Sequence, residues 1–455
     1  MNIKKIIILA AIFAANVWAM NWSESQISIS TEAQLREFAA QVNNGNDFSG
    51  QTITLENDIE LVGGNWVPIG YLYWNASTEE EIPYFFNGTF DGNGNAIKNI
   101  YINSLPYDDI YALYSFSVGF FGINNGTIKN IRLVNLNIVE IDSVTSLGGL
   151  LGINGNDGRI ENVFVQGNIE ATAHCIGGLV GMNMGTVTAS YTDMNLKSDL
   201  LYIDDEYFTH IGMVGGLVGD NETGLIENSF TIGSASSYGV VGGLVGESGG
   251  RIINSYSMVN VFLLSDDQRG VVGSLSGFNS LITGSTAFVG EIVSSYALRN
   301  NSVELIGVNN SDNVCPNSAL KTAEQLRQQS TFIGWDFENI WAIDPSTNNG
   351  FPFLRSFSNG SGTSISRNPT TSRKTANTAR FAGIRNGQIT LNLNAGNYTV
   401  ELFNLQGRLI GSANINAING LNSVGIISDN LAKGVFILNV RQAQNSVLRQ
   451  RVAVW

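Results

Sequence analysis

The chain has 455 residues, enough for two or three domains with a sizeable core, and its formal net charge is −14. Only 14% of the residues are charged, 43% are hydrophobic, and 51 are glycine. Glycine this abundant without collagen's strict period fits a turn-rich all-β protein better than a disordered chain, and seven prolines are too few for a polyproline linker protein.

Residues 1–19 form a predicted secretory signal peptide. Lys4 and Lys5 supply a basic head, residues 6–15 are apolar, and residues 17–19 form a small-residue cleavage site. The apolar stretch is about half of the ~20 residues that span a bilayer. We therefore expect an exported protein with no transmembrane segment, and an uncleaved anchor is the alternative.

A short helix is predicted directly after the signal. Thr31 is the expected N-cap, and Gln34 three residues later completes a capping box. Apolar residues then recur at helical spacing: Leu35, Phe38, Ala39 and Val42. We expect this helix to cover the open end of the repeat domain that follows it in the chain.

The centre of the chain repeats a glycine phrase. Four close copies, GGLLGIN, GGLVGMN, GGLVGDN and GGLVGES, begin at Gly148, Gly177, Gly215 and Gly242. Two degenerate copies begin at Gly119 and Gly273. The closing glycines of successive copies are 30, 29, 38, 27 and 31 residues apart. A period in this range is typical of a solenoid, which turns a repeated feature into a continuous strip of surface.

Each copy continues into short predicted strands. An Ile is followed by an Asn in four copies: Ile128 with Asn130, Ile160 with Asn162, Ile226 with Asn228, and Ile252 with Asn254. An aromatic residue comes next in most copies, at Phe164, Tyr191, Phe230 and Tyr256. Alternating apolar and polar residues in runs of four to seven indicate strands. The pattern predicts a right-handed parallel β-helix in which this Asn forms a ladder between rungs.

Acidic insertions precede several copies of the phrase. Residues 79–81, 108–109, 204–206 and 266–267 hold these carboxylates, and tyrosines flank most of them. Insertions at one phase of a solenoid emerge on one edge, so we expect a ridge. The candidate ligand-binding residues of this ridge are Trp74, Tyr107, Asp108, Asp109, Tyr202, Asp204, Asp205, Tyr207 and Asp266. Aromatic faces beside carboxylates suit sugar rings; the alternative is a set of solvated acidic loops.

No catalytic, cofactor or metal site is predicted. The two histidines, His174 and His210, form no HExxH zinc motif, and there is no G-x-S-x-G elbow or phosphate loop. FDGNGN from Phe90 lacks the spacing of an EF-hand and is interpreted as a plain turn. Cys175 and Cys315 are four or five rungs apart, about 20 Å, which is too far for an intramolecular disulfide.

Beyond the repeats a second capping box, Thr322 with Gln325, begins a further predicted helix. We expect the bulky residues after it to cover the last rung: Leu326, Phe332, Trp335, Phe337 and Trp341.

A composition change then marks a domain boundary. Residues 356–380 are rich in Ser, Thr, Asn and Gly and form a predicted linker. Residues 356–455 hold ten Lys or Arg against Glu401 and Asp429, which leaves a net charge of −22 on residues 1–355. The large domain is too acidic to be a partner for nucleic acid, since phosphate binding needs Lys and Arg. Residues 381–455 read as a small β domain with a hairpin, GNYTVELFNLQGRLI, and two further strands.

These features resemble two known families. The glycine phrases, with FNGTFDGNGNAIKNI from Phe86 and WDFENIW from Trp335, are similar to the GLUG-motif proteins of bacterial surfaces, a resemblance that covers roughly residues 30–355. It implies a β-helix in an extracellular setting and carries no activity with it. The GNYTVELFNLQGR hairpin and LAKGVF resemble the C-terminal sorting domain of the type IX secretion system, an immunoglobulin-like sandwich. This second resemblance implies export by, and contact with, that secretion machinery, although Trp455 departs from the usual charged and aliphatic ending.

The sequence therefore predicts a signal peptide (1–19), a β-helix with helical caps (20–355), a linker (356–380) and a sorting domain (381–455). We expect a secreted protein, attached to the outer-membrane surface, that acts as a non-enzymatic adhesin or glycan-binding protein. A polysaccharide-degrading β-helix enzyme and a purely structural surface spacer are the alternatives.

Overall fold

The computed structural model describes residues 20–75, 80–105, 117–200, 203–204, 209–210, 212–264, 270–279, 281–283, 286–288, 290–299, 303–309, 315–358, 380–385, 388–393, 396–404, 408–417, 420–425, 434–442 and 445–454. The chain divides into two compact units, residues 1–364 and 365–455, with the boundary inside the predicted linker. The unit of residues 1–364 contains the repeats, and the other contains the predicted sorting domain.

The first unit is a parallel β-solenoid whose central rungs each pass through four strand segments, here called faces 1 to 4. Face 1 contains Gln26–Ile29, Thr52–Leu55, Thr89–Asp91, the starts of the long strands Thr127–Gly148 and Arg159–Gly177, Thr186–Thr188, Leu225–Glu227, Arg251–Ile253 and Glu291–Val293. Face 2 contains Ile59–Glu60, Ala96–Lys98, Tyr101–Ile102, the middles of the long strands, Tyr191–Ser198, Phe230–Ser237, Tyr256–Leu263, Tyr296–Leu298 and Ala319–Lys321. Face 3 contains Ser117–Val118, the ends of the long strands, Met213–Gly215, Val240–Gly242 and Val271–Gly273. Face 4 contains Phe121–Asn124, Leu151–Asn154, Val180–Asn183, Val218–Asn221, Val245–Ser248, Ser276–Phe278 and Ile306–Val308.

The glycine phrases superimpose from rung to rung, which confirms the predicted parallel β-helix. On face 4, for example, Leu151 pairs with Val180, and Val180 pairs with Val218. The leucines that precede five of the face 4 strands point into one continuous core: Leu150, Leu179, Leu217, Leu244 and Leu275 are all fully buried. The corner before them needs glycine, because a Cβ on Gly178 would clash with the carbonyl oxygen of Gly216.

Asparagine ladders connect the rungs, but the longest one is not the predicted one. The predicted residues take a left-handed conformation at the corner between faces 1 and 2, with φ of 53° at Asn130 and 56° at Asn162, and Asn162 Nδ2 donates to Asn130 Oδ1 at 2.8 Å. The continuous ladder uses the asparagine that closes the glycine phrase. Its bonds run from Asn124 to Asn154 (3.0 Å), from Asn154 to Asn183 (2.9 Å) and from Asn183 to Asn221 (2.8 Å). These side chains are fully buried, so the ladder satisfies amides that have no access to water.

The N-terminal helix, Glu32–Asn43, has the predicted capping box. Gln34 N donates to Thr31 Oγ1 at 3.2 Å, and Gln34 Oε1 accepts from Thr31 N at 3.2 Å. The predicted apolar residues Leu35, Phe38, Ala39 and Val42 are buried. The Phe38 ring packs against Phe48, Phe86 and Phe90 at centroid distances of 5.0–5.7 Å, so the helix closes the first end of the core.

The closing segment has a different position from the expected one. Helix Ala323–Leu326 has the predicted capping box, and Phe332 and Trp335 contact Tyr296 near the end of the solenoid, but Trp341 lies over earlier rungs. The segment of residues 327–358, here called the aromatic strap, lies over a column of face 2 rings that point away from the central core. This column contains Phe164, Tyr191, Phe230, Tyr256 and Tyr296, with successive centroids 4.3, 4.6 and 5.1 Å apart from Phe164 to Tyr256.

Four rings of the strap contact four successive rungs. Phe332 and Trp335 pack on Tyr296 at 5.3 and 6.0 Å, Trp341 packs on Tyr256 and Phe230 at 5.9 and 6.0 Å, and Phe357 packs on Tyr191 at 4.8 Å. Short elements hold the strap: the antiparallel pair Trp341–Ala342 with Phe353–Leu354, and the 3-10 turns Gln329–Thr331, Asn348–Gly350 and Arg355–Phe357. The strap therefore runs back along the solenoid and shields a second, lateral aromatic core.

Among the described residues, three antiparallel hairpins interrupt the rungs: Tyr71–Asn75 with Glu80–Tyr84, Ile203–Asp204 with Thr209–His210, and Leu281–Thr283 with Thr286–Phe288. The FDGNGN segment from Phe90 forms a turn in which Asn93 has positive φ and Asn93 N donates to Asp91 Oδ1 at 2.8 Å.

The unit of residues 365–455 has two antiparallel sheets. One has the order Arg380–Arg385, Gln388–Leu393, Gly420–Gly425, and the other has the order Leu409–Ala417, Gly396–Phe403, Gly434–Gln442, Asn445–Val454. The predicted hairpin and the two further strands are all present in the second sheet. Residues from both sheets share one buried cluster that includes Leu391, Val400 and Leu438, as expected of a sandwich.

Removing the central ring of the strap tests whether the strap stabilises the solenoid. Trp341 is fully buried, and its Nε1 donates to Asn228 Oδ1 at 3.2 Å. We expect Trp341→Ala to lower the free energy of unfolding by about 3–5 kcal/mol, measured by urea titration. The control Ile333→Ala, at a strap residue that is 56% exposed, should change it by less than about 0.5 kcal/mol. An unchanged urea midpoint for Trp341→Ala would show that the strap is not stabilising.

The buried asparagine ladder makes a second prediction. Asn183→Ala leaves the amides of Asn154 and Asn221 without their side-chain partner, so we expect a loss of about 2 kcal/mol or more. Asn195 lies in an exposed ladder, donating to Asn168 at 3.1 Å, and Asn195→Ala should cost less than about 1 kcal/mol because water replaces the lost bond. Equal costs in the same denaturant series would contradict a special role for the buried ladder.

Candidate functional site

The structure describes only the backbone of two predicted ridge residues. Trp74 lies in strand Tyr71–Asn75 and pairs with Glu81, and Asp204 lies in strand Ile203–Asp204 and pairs with Thr209. The other seven, Tyr107, Asp108, Asp109, Tyr202, Asp205, Tyr207 and Asp266, lie outside the described residues. The described strands on either side of each insertion still fix where it leaves the solenoid.

Three of the four acidic insertions leave from the same corner. Residues 103–116, 199–212 and 264–270 each follow a face 2 strand and precede a face 3 strand. The face 3 register places the second insertion three rungs after the first and the third two rungs further on. At about 4.8 Å per rung, their roots are about 14 and 10 Å apart along the axis.

Backbone hydrogen bonds hold the roots of these insertions. Asp199 N donates to Ala171 O at 3.0 Å, and Val240 N donates to Gly212 O at 2.8 Å, which anchors both ends of residues 199–212. Leu264 N donates to Ser237 O at 2.8 Å, so the start of residues 264–270 is also anchored to the preceding rung by a backbone hydrogen bond. The corner between faces 2 and 3 is therefore a fixed row of attachment points.

The fourth insertion leaves elsewhere, and the expectation that residues 79–81 share the phase of the others is wrong. Its hairpin is rooted in face 4, because Ile69 bridges to Phe121 and Phe86 bridges to Asn124. The register aligns residues 86–88 with residues 124–126, the end of the glycine phrase and not its beginning. Trp74 is therefore carried by a hairpin rooted on a different face.

Sequence analysis missed a buried acidic pair on face 4. The variable residue before the closing asparagine of the phrase is Ile123, Ile153, Met182, Asp220, Glu247 or Phe278 in successive rungs. Asp220 and Glu247 are register neighbours within this otherwise apolar column. Asp220 is only 5% exposed, and its Oδ1 is buried without a hydrogen-bond partner. The signal was present in the phrases GGLVGDN and GGLVGES, where the other copies carry an apolar residue.

The apolar surroundings of this pair control its charge. Burial, reinforced by Glu247 and Glu222, raises the pKa of Asp220 well above its usual value, and burial raises the pKa of Glu247 to about 7. Two carboxylates on neighbouring rungs cannot both ionise without repulsion in a low-dielectric site. The pair therefore holds at least one proton at neutral pH.

Cys175 lies beside this pair in a small apolar cluster with Met213 and Val240. Burial, together with Asp220, raises the pKa of its thiol well above the usual value. His174 Nδ1 lies 3.5 Å from Cys175 Sγ, but a protonated, fully buried thiol is not an activated nucleophile. Cys175 and Cys315 are both free.

A recess of about 450 Å³ lies between the N-terminal helix and the root of the Trp74 hairpin. Arg36, Asn43, Trp66 and Tyr71 line it. The Arg36 guanidinium lies 5.4 Å from the centroid of the Trp66 ring and is paired with Glu32 at 2.8 Å. This site combines an aromatic wall with a neutralised cation and lies at the root of the face 4 hairpin, outside the row of corner insertions.

In the described part of the chain, no three His, Cys, Asp or Glu side chains are grouped as a metal site would require. Nor does any helix there have the length and apolar composition of a membrane span.

The acidic pair makes stability depend on pH. A carboxyl whose pKa is raised on folding binds more protons when folded, so its contribution to stability falls as pH rises above the unfolded value. For Glu247 that window runs from its ordinary pKa of 4.5 to about 7. We expect Asp220→Asn with Glu247→Gln to exceed wild type in stability by roughly 1–3 kcal/mol at pH 7.5 and to approach it near pH 4. Urea midpoints between pH 4 and 8 measure this.

The control for this experiment is Glu161→Gln, a change at an exposed carboxylate of face 1. It should leave the pH slope of the wild-type protein intact. If the double variant keeps that slope as well, the acidic pair is not its source.

Comparison with known proteins supports both resemblances. Residues 143–170 match the family model described as the GLUG motif, and residues 385–454 match the model described as the secretion system C-terminal sorting domain. Halomucin from Haloquadratum walsbyi is 34% identical over 103 residues, which is 22% of this chain and 1% of halomucin. An IgA1 protease structure superposes with a TM-score of 0.44 and 18% identity, over 64% of this chain and 21% of that one. The chain thus spans only a small part of either relative.

The register of the glycine phrases, the antiparallel sandwich and the two family matches agree. The chain contains a parallel β-solenoid with a GLUG motif and a type IX secretion sorting domain, and the sorting domain indicates export to the cell surface or the extracellular space.

Proposed function

We propose that this exported solenoid is a non-enzymatic binding protein that holds a glycan of another cell or of a surface polymer along its corner between faces 2 and 3. The observation that carries the proposal is the common root of residues 103–116, 199–212 and 264–270 at that corner. Three insertions spaced along one edge suit an extended polymer better than a single small molecule.

The composition of these insertions supports a carbohydrate ligand. Two of them carry tyrosines and carboxylates together, at Tyr107 with Asp108 and at Tyr202 with Asp204, and the third carries Asp266 without an aromatic residue. Tyrosine presents an apolar face to the CH face of a sugar, and carboxylate oxygens accept from its hydroxyls. The net charge of −22 on residues 1–355 favours neutral or cationic polymers over anionic ones. We propose that the exported protein is attached to the outer-membrane surface, where the corner would be accessible to such a polymer.

A polysaccharide-degrading enzyme is the second candidate, and the pair Asp220 and Glu247 is the observation that favours it. Glycoside hydrolysis uses two carboxyl groups, one of them protonated. Asp220 is only 5% exposed, however, and a substrate bond cannot reach a carboxyl that solvent hardly reaches. Binding is therefore the proposal that the geometry supports better.

Retention on insoluble polysaccharides and on a glycan array tests the proposal. We expect the wild-type protein to bind, and Tyr202→Ala with Tyr207→Ala to weaken binding by roughly tenfold, since each lost ring contact removes about 0.5–1.5 kcal/mol. Trp74→Ala is the matched control, because it removes an aromatic side chain from the hairpin rooted on face 4 and should leave retention unchanged.

Each other outcome has a defined meaning. Equal retention by wild type and the tyrosine variant rejects the corner as the binding surface. Loss of retention by Trp74→Ala alone moves the site to the face 4 hairpin. Release of reducing or unsaturated sugars identifies an enzyme, and binding to no glycan or cell leaves a structural spacer.

A further inference from the structure

The sorting domain has one long sheet edge without charge. Strand Leu409–Ala417 lies at the end of its four-stranded sheet and, among the described strands, pairs only with Gly396–Phe403. Its nine residues, LIGSANINA, contain no charged residue and no proline. An edge strand of this kind presents a row of backbone donors and acceptors that another strand can extend.

The side chains on the outer face of the strand are exposed to solvent. Leu409 and Ile410 are 48% and 40% exposed, and Ser412, Asn414 and Asn416 are exposed as well. The alternate residues Ala413 and Ile415 pack on the buried cluster of the sandwich, which fixes the strand in place. The strand is thus already ordered as a terminal strand of its sheet, which lowers the entropic cost of adding a further strand.

The opposite edges of the domain are protected by charge. Strand Asn445–Val454 carries Arg449 and Arg451, and strand Arg380–Arg385 begins and ends with arginine. These two strands contact each other on one side of the sandwich. On the other side Leu409–Ala417 contacts Gly420–Gly425, the uncharged edge of the second sheet.

Natural sheets protect long edges with lysine, arginine, proline or bulges. This domain has charged edge strands on one side. On the other side, the edge strand has a bulge at Ile410, and residues 411–417 continue as a regular edge without charge or proline. A sorting domain must be recognised by its secretion machinery, and an unprotected edge is the feature that main-chain recognition uses.

We propose that Leu409–Ala417 is the surface that the type IX secretion machinery recognises, by adding an extended, uncharged strand of one of its components to this edge. Main-chain hydrogen bonds then provide the affinity, and the exposed Leu409 and Ile410 provide an apolar contact beyond the strand. A second copy of this chain fits less well, because residues 356–455 carry a charge of +8 that repels a like domain.

Export of the full chain in a cell with this secretion system tests the proposal. Asn414→Lys places a charge in the middle of the edge, and we expect it to lower the surface or medium fraction by roughly two- to fivefold, with accumulation inside the cell. Asn397→Lys is the matched control: the same exchange at an exposed residue of the neighbouring strand, which is not an edge. It should be exported like wild type.

Two further measurements separate the alternatives. Thermal midpoints must agree between the two lysine variants, and Asn414→Glu must reduce export as Asn414→Lys does. Normal export of Asn414→Glu would mean that the added positive charge, and not a blocked edge, was responsible, which overturns the proposal.

A photo-crosslinking residue at position 414 identifies the neighbour. We expect an adduct with a component of the secretion machinery that is lost when the residue is placed at position 397. An adduct of two copies of this chain, or unchanged export of both position 414 variants, would overturn the proposal.

Discussion

The structure depends on the close backbone approach at the glycine corner between faces 3 and 4. A Cβ on Gly177, Gly215 or Gly242 would collide with the carbonyl oxygen three residues later, so only glycine permits this turn. The turn fixes the phase of every rung, because the leucine after it enters the core and the asparagine at the end of the phrase meets its copy above and below. This alignment also places the three insertions along one corner, forms the buried asparagine ladder and brings Asp220 beside Glu247.

The period and the glycine phrase were sufficient to predict the solenoid, since both express this backbone constraint directly. The N-terminal helix was equally predictable, because Thr31 and Gln34 form a local motif that needs no distant partner. The predicted ladder is present between Asn130 and Asn162, but the longer, buried ladder was not predicted. Two asparagines recur in each repeat, and only the rung geometry shows that Asn154 and Asn183 are the buried pair.

The aromatic strap could not be located from sequence for a different reason. The expectation that Trp341 covers the last rung rested on chain order, whereas its contacts with Phe230 and Tyr256 span more than 80 residues of sequence. The column of rings on face 2 is visible as a repeat, but a repeat does not reveal that its outer side is covered. The position of the Trp74 hairpin was mispredicted for a similar reason. Residues 86–88 align with the end of the glycine phrase, at Asn124, and the sequence alone does not distinguish this from an alignment with its beginning.

The buried acidic pair shows how the solenoid converts sequence variation into chemistry. The variable position of the phrase points into a small apolar cluster with Cys175 and Val240, so an acid there is deprived of water. Asp220 and Glu247 break the apolar pattern in two consecutive copies, which places them side by side. A protonated pair destabilises the fold less than two buried charges would, and its effect on stability is therefore confined to the higher pH range.

Because the strap belongs to the same unit as the repeats, it can stabilise the solenoid whether or not the sorting domain is still attached. Its last contact, Phe357 on Tyr191, lies before almost all of the predicted linker. A cut in residues 359–379 would therefore leave every contact between the strap and the aromatic column in place. The column would stay shielded after the sorting domain had served for export, since the residues that cover it belong to the unit that carries the repeats. Display by the solenoid and recognition by the secretion machinery can thus be separate tasks of one chain, performed by surfaces that share no residue.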